Sequence, residues 1–396
     1  MHIGAPTIRE KNGAVEYSAT VSRDDGASTL WYRVDAQYAD FISDRADAFL
    51  VALLMPAMLR GEDIHIDGTI SPKLYYNAST QLQHFLKEIR PSFKLIRILP
   101  STISEADNDA SAVAAGLSCG VDSYCAVADH FFEPVCKEYT LTHLLFNDVG
   151  SHGDGGTRLF KERLADVKKA AQKIGLPVIA TQSNIDDYYP ESHFGMTNTL
   201  RDMSVASMLQ KGVRKFLYAT GLQYREVRVK ENMEISYADT IILPLLSTET
   251  LEAVSVGNEY TRVDKTLRIA GFECTYDTLD VCVWPYGGRN PRNCGGCYKC
   301  VRTLLTLEVA GLADKYKSNF NIDAYKKNRL KQIIRSELRG DPFWKEIKDL
   351  AKSRRYRFPT DMSLALAFLR VPGVRWTIRG FWNLVRTVRG IPINMP

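Results

Sequence analysis

Residues 115–123 read Ala115-Gly116-Leu117-Ser118-Cys119-Gly120-Val121-Asp122-Ser123. The small and apolar run from Ser111 to Leu117 has the character of a strand buried on both faces of a parallel sheet. It stops at Ser118-Cys119-Gly120, and Asp122 and Ser123 open a short helical pattern that ends before Pro134. A strand, a tight turn and a helix start aim backbone N–H groups and the positive end of a helix dipole at one point, where phosphates bind. Gly120 lets the backbone approach a ligand closely. The Ser118 and Ser123 hydroxyls add donors. Asp122 is the odd member, because a carboxylate repels phosphate. Its place suggests either an N-cap or a carboxylate that holds magnesium against the phosphates.

Outward from this turn the pattern alternates strand and helix. Leu141 to Phe146 and Pro177 to Thr181 read as strands, and Lys215 to Thr220 as a fourth that ends at Gly221. Arg158 to Ile174 is an amphipathic helix, with Leu164, Val167, Ala171 and Ile174 on one face, and Thr197 to Lys211 is another. Alternating elements of this kind predict an α/β fold, a parallel sheet with helices on both faces. Ligands of such sheets sit beyond the carboxyl ends of the strands. Those ends carry Ser118–Ser123, Asn147-Asp148, Gln182-Ser183 and Gly221. Gly153, Gly155 and Gly156 make a loop that contains His152 and Asp154 nearby and reads either as a lid or as a surface loop. Arg225, Arg228 and Lys230, with Arg262 and Lys265 in a helix expected over Asn258–Ala270, could neutralise charge on a leaving pyrophosphate or form an ordinary solvated face.

The turn resembles the Ser-Gly-Gly-x-Asp-Ser loop of the PP-loop ATPases, the N-type ATP pyrophosphatases. Ser118, Gly120, Asp122 and Ser123 match, and Cys119 stands where the motif has its first glycine. The resemblance implies a PP-loop/HUP-like fold and an enzyme that splits ATP between the α and β phosphates and puts AMP on a substrate oxygen. It implies ATP at Ser118, Cys119, Gly120, Val121, Asp122 and Ser123 with magnesium, and adenine and ribose near Asn147, Asp148 and Gly221. Asp122, Ser123 and Arg225 are then the expected catalytic residues. Strand-end turn chemistry is the alternative for Asn147, Asp148 and Gly221.

With 396 residues, 24% charged and a net charge of +5, the chain has the composition of a soluble globular protein and no strong electrostatic claim on nucleic acid. The longest apolar run, Phe49 to Leu59, contains Pro56 and is too short to span a bilayer. No charged-then-apolar signal follows His2-Ile3-Gly4, so a cytoplasmic location is the expectation. Residues 8–40 alternate as antiparallel strands. Asp44–Arg60 reads as an apolar helix with Ser43 as N-cap, Asp63–Ile66 as a strand, Pro72–Glu88 as a helix and Phe93–Leu99 as a strand. These predict a small α+β domain over 1–108, closed by the acidic stretch Glu105–Asp109 and followed by the nucleotide domain over 109–272.

The second signal is Cys294-Gly-Gly-Cys297-Tyr-Lys-Cys300, two Cys-x-x-Cys steps that can wrap a tetrahedral metal. Cys282, in the strand-like Thr278–Trp284, is the best fourth ligand and Cys274 the reserve. Thiolates at this density favour zinc, with an iron–sulfur cluster, a redox pair or plain buried cysteines as alternatives. A zinc subdomain is expected over 273–315 and a helical basic tail over 316–396. In the tail Val374, Ile378, Phe381, Val385 and Val388 share a helical face beside Arg375, Arg379, Arg386 and Arg389. Such a segment could rest on an anionic membrane or an acidic partner, or dock on its own protein or a dimer mate.

A PP-loop followed downstream by Cys282, Cys294, Gly295, Cys297 and Cys300 resembles the 7-cyano-7-deazaguanine synthase (QueC) group over about residues 110–310. That resemblance implies ATP-dependent adenylation of a carboxylate or amide oxygen, with ammonia or an amine displacing AMP. A glutaminase half is not expected, because position 2 is His2. The target is left open between a small molecule, a protein and a nucleic acid, the acyl substrate being a small molecule or a protein. Rival readings are amidation of a sugar or cell-envelope precursor, RNA thiolation through Cys119, Cys125 or Cys136, and a nucleotide-binding module without catalysis.

Overall fold

The computed structural model describes residues 1–107, 109–153, 156–190, 192–283 and 291–369. The chain gathers into two units, Met1–Thr261 and Arg262 onward. The first opens with strands β1 (His2–Ile3), β2 (Thr7–Lys11), β3 (Ala14–Arg23) and β4 (Gly26–Asp35), then helix α1 (Asp47–Arg60), β5 (Ile64–Ile70), helices α2 (Pro72–Asn77) and α3 (Gln83–Ile89), and β6 (Ile98–Ile103). It continues through β7 (Ala112–Gly116), α4 (Val121–Val127), β8 (His143–Asp148), α5 (Gly156–Ile174), β9 (Val178–Ser183), α6 (Phe194–Met208), β10 (Val213–Ala219), α7 (Asp239–Leu245) and β11 (Glu252–Val256).

Strands β9, β8, β7, β10 and β11 lie in that order and all parallel. The chain therefore winds outward from β7 to β9, crosses back over β7, and resumes at β10. The reversal falls between β7 and β10, which makes the carboxyl end of β7 a topological switch point. Side-chain alternation along β8 shows helices on both faces: Phe146 stacks on Phe160 of α5, while its neighbour Asn147 reaches Asp202 of α6.

The expected boundary at 108 is not a boundary. Strand β4 pairs antiparallel with β9 through Tyr32↔Ser183 and Arg33↔Gln182, so the N-terminal strands extend the same mostly parallel sheet. Helix α1 is buried from Asp47 to Met58. The Asp47 carboxylate accepts from Arg45 Nε at 3.1 Å, the Ser71 amide at 2.8 Å and Gln210 Nε2 at 2.8 Å. A buried charge with three donors drawn from both parts of the chain fastens them together. The Tyr32 hydroxyl adds a 2.9 Å bond to Ser204 of α6.

Several local expectations shift. Helix α1 starts at Asp47 after Ala46 without a side-chain cap, because the Ser43 hydroxyl accepts from the Arg45 amide instead. The Pro72–Glu88 helix is broken by a π-helical turn over Ala78–Leu82. Strand β6 runs later than predicted, since its register is set by Ile64↔Ile98 pairing with β5. The helix expected over 258–270 begins at Arg262, as Asn258 is occupied in loop bonds described below.

The second unit contains α8 (Arg262–Ile269), α9 (Tyr298–Val309), α10 (Ile322–Arg339), α11 (Pro342–Ser353) and α12 (Thr360–Phe368). Trp344, Ile347, Ile333, Val301 and Leu305 are buried in it. Glu308 accepts from Tyr356 at 2.7 Å, Tyr325 at 2.5 Å and Arg329 at 3.2 Å, tying α9 to α10. The predicted boundaries at 272 and 315 do not hold, because the cysteine turn caps α9 and packs on α10. The basic face predicted over 374–389, Asp154, Gly155 and Trp284 lie outside the described residues. Among the described residues no helix is long and apolar enough to cross a membrane.

Candidate functional site

The turn after β7 forms as the sequence predicts. Gly120 is the N-cap of α4, which continues as a π-helical turn to Phe132. Asp122 is thus in the first helical turn and is not the cap. The Ser118 hydroxyl accepts from the Gly120 amide at 3.3 Å, Ser123 Oγ donates to the Gly120 carbonyl at 3.1 Å, and the two hydroxyls lie 3.4 Å apart. Cys119 has φ +59° and is 1% exposed. That left-handed conformation is the one a glycine adopts at no steric cost, and for cysteine it costs about 1 kcal/mol. The backbone shape of a glycine turn is kept although the glycine is absent.

The other predicted residues at this edge are already engaged. Asp148 Oδ1 pairs with His152 Nδ1 at 3.1 Å, and the buried imidazole sits edge-on to Phe146 and Phe160. His152 therefore belongs to the packing beneath the loop. Gly221 follows β10 in a turn ordered by Asn258, whose Nδ2 donates to the Leu222 carbonyl at 3.2 Å and whose Oδ1 accepts from Ser255 at 2.7 Å. Arg225 lies in the following short helix Tyr224–Glu226. Arg228 stacks 3.5 Å over Tyr237. Arg262 and Lys265 are not part of this edge's loops: both belong to α8, where Lys265 is 1% exposed and Arg262 lies over Phe343. Cys119 and Cys125 are buried, and the exposed Cys136 lies in the segment before β8, toward its amino end.

Sequence reasoning missed a second constellation at the same edge. Asn147 Nδ2 donates to Asp202 Oδ1 at 2.9 Å, and Thr199 Oγ1 donates to Asp239 Oδ1 at 2.7 Å. Thr199 and Asp202 stand three residues apart on α6, which makes the two pairs neighbours, and burial with the charges of Asp202 and Asp239 raises the Tyr218 phenol. Burial raises both Asp202 and Asp239 to about 6. Arg201, fully buried, donates to the Val149 carbonyl at 2.8 Å and to Asp186, with Tyr189 stacked 4.2 Å away. The sequence signal was available: Arg201-Asp202 is the one charge pair in an otherwise uncharged helix.

In the second unit the thiols of Cys282, Cys294, Cys297 and Cys300 all lie within 4.8 Å of one another. Cys294 and Cys300 sulfurs are 3.9 Å apart, close to the ~3.8 Å edge of a tetrahedron built on Zn–S bonds of about 2.3 Å. The set can hold a metal ion, and Cys282 rather than Cys274 completes it. Cys297 is the N-cap of α9 and its sulfur accepts from the Cys300 amide at 3.5 Å, while Cys294 Sγ accepts from the Cys297 amide at 3.3 Å. Such N–H donors favour thiolates. Thiol bonds from Cys282 and Cys300 lower Cys297 to about 3, while Cys282 and Cys297 raise Cys300.

The segment carrying Cys282 is not a strand. It is held by Asn293, which is 0% exposed. Asn293 Nδ2 donates to the Leu279 carbonyl at 2.7 Å, and its Oδ1 accepts from the Val281 amide at 2.9 Å. Asn319 Nδ2 adds a second 2.7 Å bond to Leu279. No protein-family model, curated protein or solved structure matches the chain.

Proposed function

We propose that the chain is an ATP-dependent, AMP-forming enzyme of the PP-loop type, QueC-like, that adenylates a carboxylate or amide oxygen and lets a nitrogen nucleophile displace AMP. The observation that supports this reading is the Ser118–Ser123 turn at the carboxyl end of β7, where the sheet reverses direction. In this reading the Ser118 and Ser123 hydroxyls and the first-turn amides of α4 hold the β and γ phosphates. Asp122 would hold magnesium, which neutralises phosphate charge. The substrate oxygen attacks the α phosphorus, and the electron pair of the broken P–O bond leaves with pyrophosphate. Nitrogen then attacks the activated carbon and AMP departs. The turn contributes position and charge stabilisation, with no covalent nucleophile from the protein. Arg225 is assigned to the departing pyrophosphate. Zinc is the metal we assign to the four thiols, as a structural ion, since all four positions of a tetrahedron are filled by protein.

The test is incubation of the full chain and of Asp122→Ala with α-labelled ATP, magnesium and a bacterial metabolite extract. AMP and pyrophosphate are expected from the parent chain only, in an extract-dependent manner, with at least a hundredfold loss in the variant. ADP as product would sink the reading, as would tight ATP binding without turnover.

A further inference from the structure

The Asn147–Asp202 and Thr199–Asp239 pairs have a property that their structural role leaves unexplained. Asp239 is 1% exposed and its Oδ2 has no hydrogen-bond partner. The Asn147 amide is oriented by its bond to Asp202, which leaves its Oδ1 as a second buried acceptor without a donor. Buried polar atoms of native proteins are paired, and each exception calls for a ligand or another reason. Two of the unpaired atoms here are acceptors, Asp239 Oδ2 and Asn147 Oδ1, and the Asp202 carboxylate lies beside them, since Thr199 and Asp202 stand three residues apart on α6. Arg201 acts on Asp202 through its charge, but its Nη1 is taken up by Asp186 and the Val149 carbonyl. Asp202 and Asn147 are each partly exposed, so the cluster is not closed off.

Its place also matters. Leu217 pairs with Ala115, and Gly116 with Leu145, so Tyr218 and Asn147 stand on either side of the β7 terminus from which the Ser118–Ser123 turn departs. Resting on the function proposed above, we infer that Asp202, Asp239 and Asn147 form the subsite for the nitrogen nucleophile, binding it as ammonium or a protonated primary amine. A small cation with three or four N–H donors supplies what the cluster lacks, whereas magnesium demands an octahedral shell with several waters. One carboxylate then takes a proton from the bound cation. The freed nitrogen lone pair forms the C–N bond, the C–O bond to AMP breaks and AMP leaves with that electron pair, and the nitrogen gives its remaining extra proton to the other carboxylate. The raised affinity of both buried carboxyls for protons suits them to this transfer.

The experiment is thermal unfolding of the full chain at pH 7.5 in 100 mM ammonium chloride, methylammonium chloride, sodium chloride or tetramethylammonium chloride, and in 5 mM magnesium chloride, with magnesium–ATP binding measured in parallel by equilibrium dialysis. Ammonium or methylammonium is expected to raise the midpoint by about 3 °C over the sodium and tetramethylammonium arms. Asp239→Asn and, independently, Asp202→Asn should abolish that difference, while each binds magnesium–ATP within about twofold of the parent. Either variant suffices if the other does not fold. An equal shift with sodium, a larger one with magnesium, or no ammonium shift in a chain that binds ATP overturns the subsite. Loss of ATP binding by the parent chain, with the ammonium shift present, overturns the adenylation reading instead.

Discussion

Asp239 spends its life almost without water, with one oxygen bonded to Thr199 and the other unpaired. Burial raises its pKa from 3.8 to about 6, with Thr199 opposing and the Asp202 charge reinforcing the shift. Asp202 on α6, Tyr218 on β10 and Thr199 are the groups that face it. A carboxyl whose folded pKa lies above its unfolded one binds protons more tightly when folded. Its favourable contribution is full below about pH 4 and is lost as the pH rises through 6. The loss is up to about 3 kcal/mol, from about 1.4 kcal/mol per pKa unit. Asp239→Asn is therefore expected to unfold later than the parent at pH 7.5 and to lack that decline, checked by urea denaturation from pH 4 to 8 without ammonium. Cys119 shows the same scale of reasoning from the backbone. Its positive φ is a conformation that glycine adopts at no steric cost, so the turn takes a glycine-type backbone shape at a cysteine.

At the scale of elements, the cysteine turn shows how few residues make a metal cage. Two amide-to-sulfur bonds and one helix N-terminus place three thiols, and Asn293 with Asn319 brings the fourth. Gly295 is the critical joint. It has φ +68°, and a Cβ there would run into the Asn321 carbonyl that begins α10. Gly295→Ala must change both the turn and the neighbouring helix start, so zinc affinity is expected to fall at least about tenfold, read by competition with a chromophoric chelator. The asparagines explain why the strand predicted over 278–284 is absent from its described part. Side chains, and not a neighbouring strand, satisfy its backbone, and alternation of apolar residues carries no information about that.

Across the whole molecule, the metal is linked to one unit alone in our reading. Because binding free energy of a structural metal is folding free energy, chelation should loosen only the elements built on the thiols. Hydrogen exchange is expected to accelerate over 292–309 on treatment with a strong zinc chelator while 112–116 keeps its protection; equal acceleration in both stretches would contradict this. The sequence by itself determined the order of strands and helices from 111 to 221, the tight turn at Ser118–Ser123 and the thiol set, because these are local: periodicity, turn chemistry and ligand spacing are written within a few residues. Only the tertiary structure decided that residues 1–107 continue the sheet, since the pairing of Tyr32 with Ser183 and the bonds of Asp47 to Gln210 join residues more than a hundred positions apart. It alone gathered Asn147, Thr199, Asp202, Tyr218 and Asp239, which come from four elements. Their shared chemistry arises from low dielectric and missing partners, and neither exists until the chain has packed.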